Sequence, residues 1–253
     1  ETLLSEGVER KIFKREAADA ILGRIEVTGD LADLKDVDIV IEAVFEDIDV
    51  KKGLFQTLGE ITRADTVLAT NTSSFLVEQV AEGVKNPERV IGLHYFYHPA
   101  KNRLVEVIGH AGSAEDVLVR AWNFQERIAK TPIDSADAPG FVVNRFFVPW
   151  LNEAIRLKEE GHNIATIEAA AKDCFGVGMG PFELMNVTGV PITLHASRSL
   201  AGSLGDFYAP AASLEPQVDS GQNWDLEGDV VESSFKDIQS RLLGVVFTIA
   251  GHL

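Results

Sequence analysis

Three short runs rich in β-branched residues, separated by helical faces, constrain this chain more than any other feature. They read Asp38-Ile-Val-Ile-Glu-Ala-Val44, Thr66-Val-Leu-Ala-Thr70 and Arg89-Val-Ile-Gly-Leu-His94. Short apolar runs of this composition suit buried strands. Between the first two, Val50, Leu54, Phe55, Leu58 and Ile61 recur at helical spacing, and residues 75–85 are helical again. Strand, helix, strand, helix, strand with short loops predicts βαβ units and a parallel sheet. A fourth run, Leu104-Val-Glu-Val-Ile108, follows His94 too closely for a crossover helix. It is therefore expected to run antiparallel to its predecessor.

On either side of this core the pattern is helical. Residues 1–30 read as a helical hairpin, with Leu3, Leu4, Val8, Ile12 and Phe13 on one arm and Ala17, Ala18, Ile21 and Leu22 on the other. Ser113 with Asp116 resembles a capping box for a helix running to about Lys130. From Pro139 on, no strand is expected. Helices are predicted over 140–160, 164–175, 181–188 and 191–201, then a loop over 208–230 and a last helix from near Ser233. The fold class is thus α/β, a Rossmann-like parallel-sheet part over 1–138 followed by an all-α part over 139–253.

Charge and composition narrow the function. Lysine and arginine number 23 against 39 aspartates and glutamates, a net charge of −16. Nucleic-acid or anionic-lipid binding needs clustered cations, so neither partner is expected. The longest apolar stretch, Leu242 to Ala250, is less than half of the roughly twenty residues that span a bilayer. A single cysteine, Cys174, cannot form an intrachain disulfide, which favours a reducing, cytoplasmic setting. The chain opens on Glu1 without an initiator methionine or an apolar signal core, so it is expected to be a piece of a longer polypeptide.

Ligands of parallel α/β sheets bind beyond the carboxyl ends of the strands. Here those ends supply Glu46-Asp47, Asn71-Thr72-Ser73-Ser74 and His94. A serine at 73 or 74 would cap a helix starting at Phe75 or face a ligand. The midpoint between His94 and Glu106 falls in the turn sequence His98-Pro-Ala-Lys-Asn102, so the two would lie across from each other in a hairpin. Glu106 interrupts an apolar strand, and a buried carboxylate needs a partner. A histidine held by a carboxylate is a general acid/base device. Asn144 sits in an otherwise apolar helix start and must bond a neighbouring helix or a ligand between the two parts. Gly176-Val-Gly-Met-Gly-Pro181 follows a helix rather than a strand, so it reads as a turn and not as a phosphate loop. No metal-ligand spacing is present.

Read in order, Asp38-Ile-Val-Ile-Glu-Ala-Val-Phe-Glu-Asp47, Asn71-Thr-Ser-Ser74, Gly92-Leu-His94, Leu104-Val-Glu-Val-Ile108, Asp137-Ala-Pro-Gly-Phe-Val-Val-Asn-Arg145 and Gly180-Pro-Phe-Glu-Leu184 resemble the 3-hydroxyacyl-CoA dehydrogenases of fatty-acid β-oxidation. The resemblance implies an NAD-binding domain, a helical domain, and an acyl-CoA substrate between them. It implies His94 as general base, Glu106 as its holder, and Ser73 and Asn144 at the substrate. It implies Glu46, Lys51, Asn71 and Ser73 near NAD.

Two departures stand out. The family's opening Gly-x-Gly-x-x-Gly segment is lacking, so NAD binding by these residues alone is expected to be weak. Tyr97 stands where the family carries an asparagine. The segment near 233–253, where Arg241-Leu-Leu-Gly-Val-Val-Phe echoes Arg145-Phe-Phe-Val-Pro-Trp-Leu, resembles the start of a second helical repeat. A homodimer built through the helical part is expected. A CoA-independent hydroxyacid dehydrogenase and a non-catalytic structural relative remain open alternatives.

Overall fold

A computed structural model describes residues 1–250 of the chain. Its centre is a five-stranded sheet in the order β1-β2-β3-β4-β5. The strands are β1 (Ile39–Glu42), β2 (Val67–Thr70), β3 (Val90–Tyr95), β4 (Leu104–Gly109) and β5 (Thr131–Ala136). β1, β2 and β3 are parallel, β4 runs antiparallel to β3, and β5 is parallel to β4. The helices are α1 (Thr2–Glu9), α2 (Arg15–Leu22), α3 (Ile48–Ile61), α4 (Val77–Ala81) and α5 (Glu115–Arg127). The helical part adds α6 (Val143–Glu159), α7 (Ile164–Phe175), α8 (Pro181–Thr188), α9 (Val190–Leu204), α10 (Leu214–Asp219) and α11 (Phe235–Ala250).

Side chains alternate across the strands, so each face of the sheet owns half of every run. Leu68, Val90 and Ile108 bury one face against Phe55 and Leu58 of α3 and Val77 and Val80 of α4. Val67, Ala69, Ile91, Leu93, Val105 and Val107 bury the other against Val117 and Ala121 of α5. Both faces are covered, which is why β2 and β3 read as unbroken apolar runs. A separate core gathers Trp150, Ile155, Leu157, Ile167, Phe182, Leu214, Trp224, Ile238 and Leu242 in the helical part.

Phe141 belongs to the sheet's core although it precedes α6, so the two parts are packed together at their junction. The preceding Gly140 has φ +75°, and a Cβ there would come within 2.6 Å of Leu200. Glycine alone meets both demands.

The structure corrects several sequence expectations. β5 falls where only a boundary between the two parts was expected. It is an edge strand with Pro132 opposite Val105, and most of its residues are exposed or half-buried, so it lacks an apolar signature. The hairpin helices stop at Leu22, and residues 31–36 form a 3-10 turn capped by Asp30. The helix expected over 75–85 shrinks to the five residues of α4. Neither Ser73 nor Ser74 caps it. Asp137 does, accepting from the Val77 N–H at 2.7 Å and the Glu78 N–H at 2.8 Å.

Nor is Ser113 part of a capping box. Its hydroxyl instead donates to the Val90 carbonyl and accepts from the His110 N–H, fastening α5 to the sheet. The 208–230 loop contains α10, and Trp224 is buried while the Asn186 side chain bonds its backbone N–H and C=O. The last residues of the segment compared with a second repeat, 251–253, lie outside the described residues.

Candidate active site

The hairpin register pairs His94 with Glu106. His94 Nδ1 lies 2.6 Å from Glu106 Oε2, with Glu106 fully buried and His94 6% exposed. The other carboxylate oxygen, Oε1, accepts the backbone N–H groups of Val142 and Val143 at 2.8 and 2.9 Å. These are donors at the start of α6, where a helix leaves its first amides unpaired and carries positive partial charge. One carboxylate therefore serves the imidazole and the entry to the helical part together.

Holding Nδ1–H on the carboxylate makes Nε2 the acceptor nitrogen of the neutral ring. Nε2 has no protein partner among the described residues, and it is not among the polar atoms sealed from solvent. Phe96 and Phe141 flank the ring, with centroids 4.6 and 5.7 Å from that of His94. They limit the directions from which a reacting atom can approach.

The ends of β1 and β2 supply the second half of the site. The Asp47 side chain accepts the N–H groups of Asp49 and Val50 and so fixes the start of α3. Lys51 follows on the first turn, 1% exposed, with its ammonium 2.7 Å from Glu42 Oε1 and 3.2 Å from Glu46 Oε2. Glu46 Oε1 accepts the Thr72 hydroxyl at 2.5 Å and the N–H groups of Ser73 and Ser74, each at 3.1 Å. Burial pushes the Glu46 carboxyl up, but the Thr72 hydroxyl and Lys51 outweigh it, and the group sits below its ordinary value. The Asn71 side chain accepts the Tyr95 N–H at 2.8 Å, tying the end of β2 to the end of β3.

Ser73 and the half-buried Asn144, on the first turn of α6, make no side-chain hydrogen bond to the protein among the described residues. The neighbouring-helix partner considered for Asn144 is thus not seen. Ser74 crosses to the helical part, its hydroxyl 3.3 Å from Nε2 of His195 on α9.

All seven residues singled out in the sequence lie around the carboxyl ends of β1–β3 and the start of α6. Three contributors escaped that reading. Glu42 and Thr70 end β1 and β2 within apolar runs of the sequence, and His195 lies on a helix that reads as ordinary core. Glu42 did carry a signal, because it interrupts an apolar run as Glu106 does. His195 carried none.

The match to a family model for the 3-hydroxyacyl-CoA dehydrogenase NAD binding domain covers residues 1–138, and a second, for the C-terminal domain, covers 140–230. The chain belongs to the 3-hydroxyacyl-CoA dehydrogenase family. Within it, the fatty acid oxidation complex subunit alpha of Shewanella baltica is 37% identical over 211 residues, 83% of this chain. The chain spans only 30% of that relative's length. FadB2 of M. tuberculosis superposes with a TM-score of 0.84 at 32% identity, over 88% of this chain and 79% of FadB2. A 3-hydroxybutyryl-CoA dehydrogenase from Escherichia coli gives the same score and identity over 91% of this chain and 52% of its own.

NAD is the cofactor of the domain family that residues 1–138 match. The set of polar groups at the strand ends suits a ligand rich in hydroxyls and amides, as a dinucleotide is. It offers a partly exposed carboxylate at Glu46, the unpaired hydroxyl of Ser73 and the Asn71 amide nitrogen at adjoining strand ends. The sequence has no Gly-x-Gly-x-x-Gly, so no residue here is assigned to the pyrophosphate.

Proposed function

We propose that the chain performs the NAD-dependent oxidation of a 3-hydroxyacyl-CoA to the 3-oxoacyl-CoA, with His94 as general base. The observation that carries this reading is the buried His94–Glu106 pair, whose unpartnered Nε2 stands at the junction of the two parts. A bound NAD supplies hydride acceptance at its nicotinamide. Nε2 of His94 takes the proton of the 3-hydroxyl, and the O–H electron pair becomes the C3–O π bond as hydride leaves C3. Glu106 holds the ring in the tautomer this requires and faces the imidazolium that results. Ser73 and Asn144, with side chains free of protein partners, hold the substrate oxygens. Glu46, Asn71 and Ser73 form the nicotinamide-side contacts, and Lys51, named with them from the sequence, is buried and supports Glu46 instead of meeting the cofactor.

In this reading residues 1–138 bind the cofactor and residues 139–253 complete the substrate cleft and form a homodimer. Exposed Phe147, Ile192 and Phe247, at 38%, 60% and 71%, support an association through the helical part. A cytoplasmic setting fits the single half-buried Cys174, whose thiol burial pushes up, and the bacterial relatives. No helix among the described residues is long and apolar enough to cross a membrane.

Turnover of acetoacetyl-CoA with NADH, compared with free acetoacetate, tests the assignment in a chain joined to the family's glycine-rich segment, because NAD binding without that segment is expected to be weak. Reduction of the thioester alone is expected. Equal turnover of both would point to a CoA-independent hydroxyacid dehydrogenase, and turnover of neither to a non-catalytic relative.

A further inference from the structure

A second buried carboxylate, Glu42, lies at the carboxyl end of β1, and the reaction described above makes no use of it. Glu42 is 3% exposed. Its Oε1 accepts from the Lys51 ammonium and from the Val44 N–H, each at 2.7 Å, and its Oε2 accepts the Thr70 hydroxyl at 2.7 Å. Lys51 passes the link to Glu46 Oε2 at 3.2 Å. Glu46 then gathers the Thr72 hydroxyl and the N–H groups of Ser73 and Ser74 on its other oxygen. Hydrogen bonds and ion pairs thus run without a break from inside the sheet to the loop that carries Ser73.

Stability alone is a poor reason for such an arrangement. Buried ion pairs seldom outperform apolar residues of the same size, because desolvation offsets their attraction. A strand here needs only another β-branched side chain. What the ladder supplies is geometry. The Asp47 cap fixes the first turn of α3, so the Lys51 stem starts from a fixed point. Glu42 determines where the ammonium stops. An ammonium buried to this degree has no other place to go without losing a carboxylate partner. Glu46 is thereby held beneath residues 72–74, which explains why these residues bend as a loop rather than lengthening α4.

We propose that Glu42 is a positioning residue that acts through Lys51 and Glu46 to set the conformation of the 71–74 loop and the direction of the Ser73 hydroxyl. What that hydroxyl meets rests on the dehydrogenase reading. The coupling of Glu42 to the loop does not.

Amide hydrogen exchange resolved by NMR separates positioning from bulk stability. In Glu42→Gln, the amides of Ser73 and Ser74 should exchange at least about tenfold faster once the loop opens locally. Those of Val67–Ala69 and Ile91–Leu93 should keep their wild-type rates. Lys51→Met should give the same local pattern, and the double variant no further increase, because both act through one ladder. Unchanged exchange at 73 and 74, or an equal rise across the whole sheet, overturns the proposal. Should Glu42→Gln fail to fold, Glu42→Asp decides by the same comparison, since it keeps the charge but draws the carboxylate back from Lys51. If the wild-type chain joined to the family's glycine-rich segment turns over no acetoacetyl-CoA, the dehydrogenase reading falls while the exchange result still decides the role of Glu42.

Discussion

His94 and Glu106 carry the sharpest expectations at the scale of single residues. In a chain joined to the family's glycine-rich segment, replacing His94 by glutamine should lower kcat by at least about a hundredfold, the usual worth of a general base. Glu106→Gln should also lower kcat, because it loosens the ring and weakens the acceptor for the Val142 and Val143 amides together. Steady-state rates with acetoacetyl-CoA and NADH check both, and a wild-type kcat in either variant removes the pair from the mechanism. Glu46 makes a different prediction. Its folded carboxyl lies below the ordinary value of 4.5, so its ionised form contributes stability that is present above that value. That contribution is lost as pH falls through the lower, folded value. The Ser73 and Ser74 amides should therefore lose protection selectively in acid, after correction for intrinsic exchange. Glu46→Gln should abolish that acid dependence.

Among the elements, α4 is the most dependent on its surroundings. Five residues do not sustain a helix alone. Asp137, at the end of β5, supplies both capping bonds. Asp137→Ala should cost about 1–2 kcal/mol, the usual worth of a strong cap, with lost exchange protection centred on 77–81. A urea denaturation midpoint equal to wild type would contradict this. The same element shows where sequence reading stopped. β2 to β4, α7 and α8 were legible because their apolar residues match their burial, and the His94–Glu106 register followed from the turn between them. β1 was found from its β-branched run although it is half exposed, with Glu42 its one buried side chain. β5 was not, since an edge strand containing Pro132 and facing solvent needs no apolar alternation. The short α4 was not either, because Glu46, distant in sequence, draws the amides of 73 and 74 away from helix formation. Glu42 interrupts its run as Glu106 does, but no turn links it to Lys51 or Thr70, so its partners were not legible.

On the scale of the whole molecule, α11 is fastened to α6 by Arg241, which bonds Glu153 at 2.7 Å and Glu160 at 2.9 and 3.1 Å. With these helices joined, Phe147 and Phe247 remain exposed, and the homodimer is expected to cover them. Sedimentation equilibrium at micromolar concentration should then give twice the chain mass of 27.6 kDa, and a single species at 27.6 kDa would rule the dimer out. The two parts of the chain are not free to diverge independently. Glu106 belongs to the sheet, yet half of its bonding goes to amides at the start of the helical part. A chimera that grafts the helical part of a relative onto this sheet would inherit every named side chain of the α/β half and still miscarry if the new α6 entered a few tenths of an ångström away. In such hybrids, the activity of His94 would serve as a gauge of how well the seam was cut.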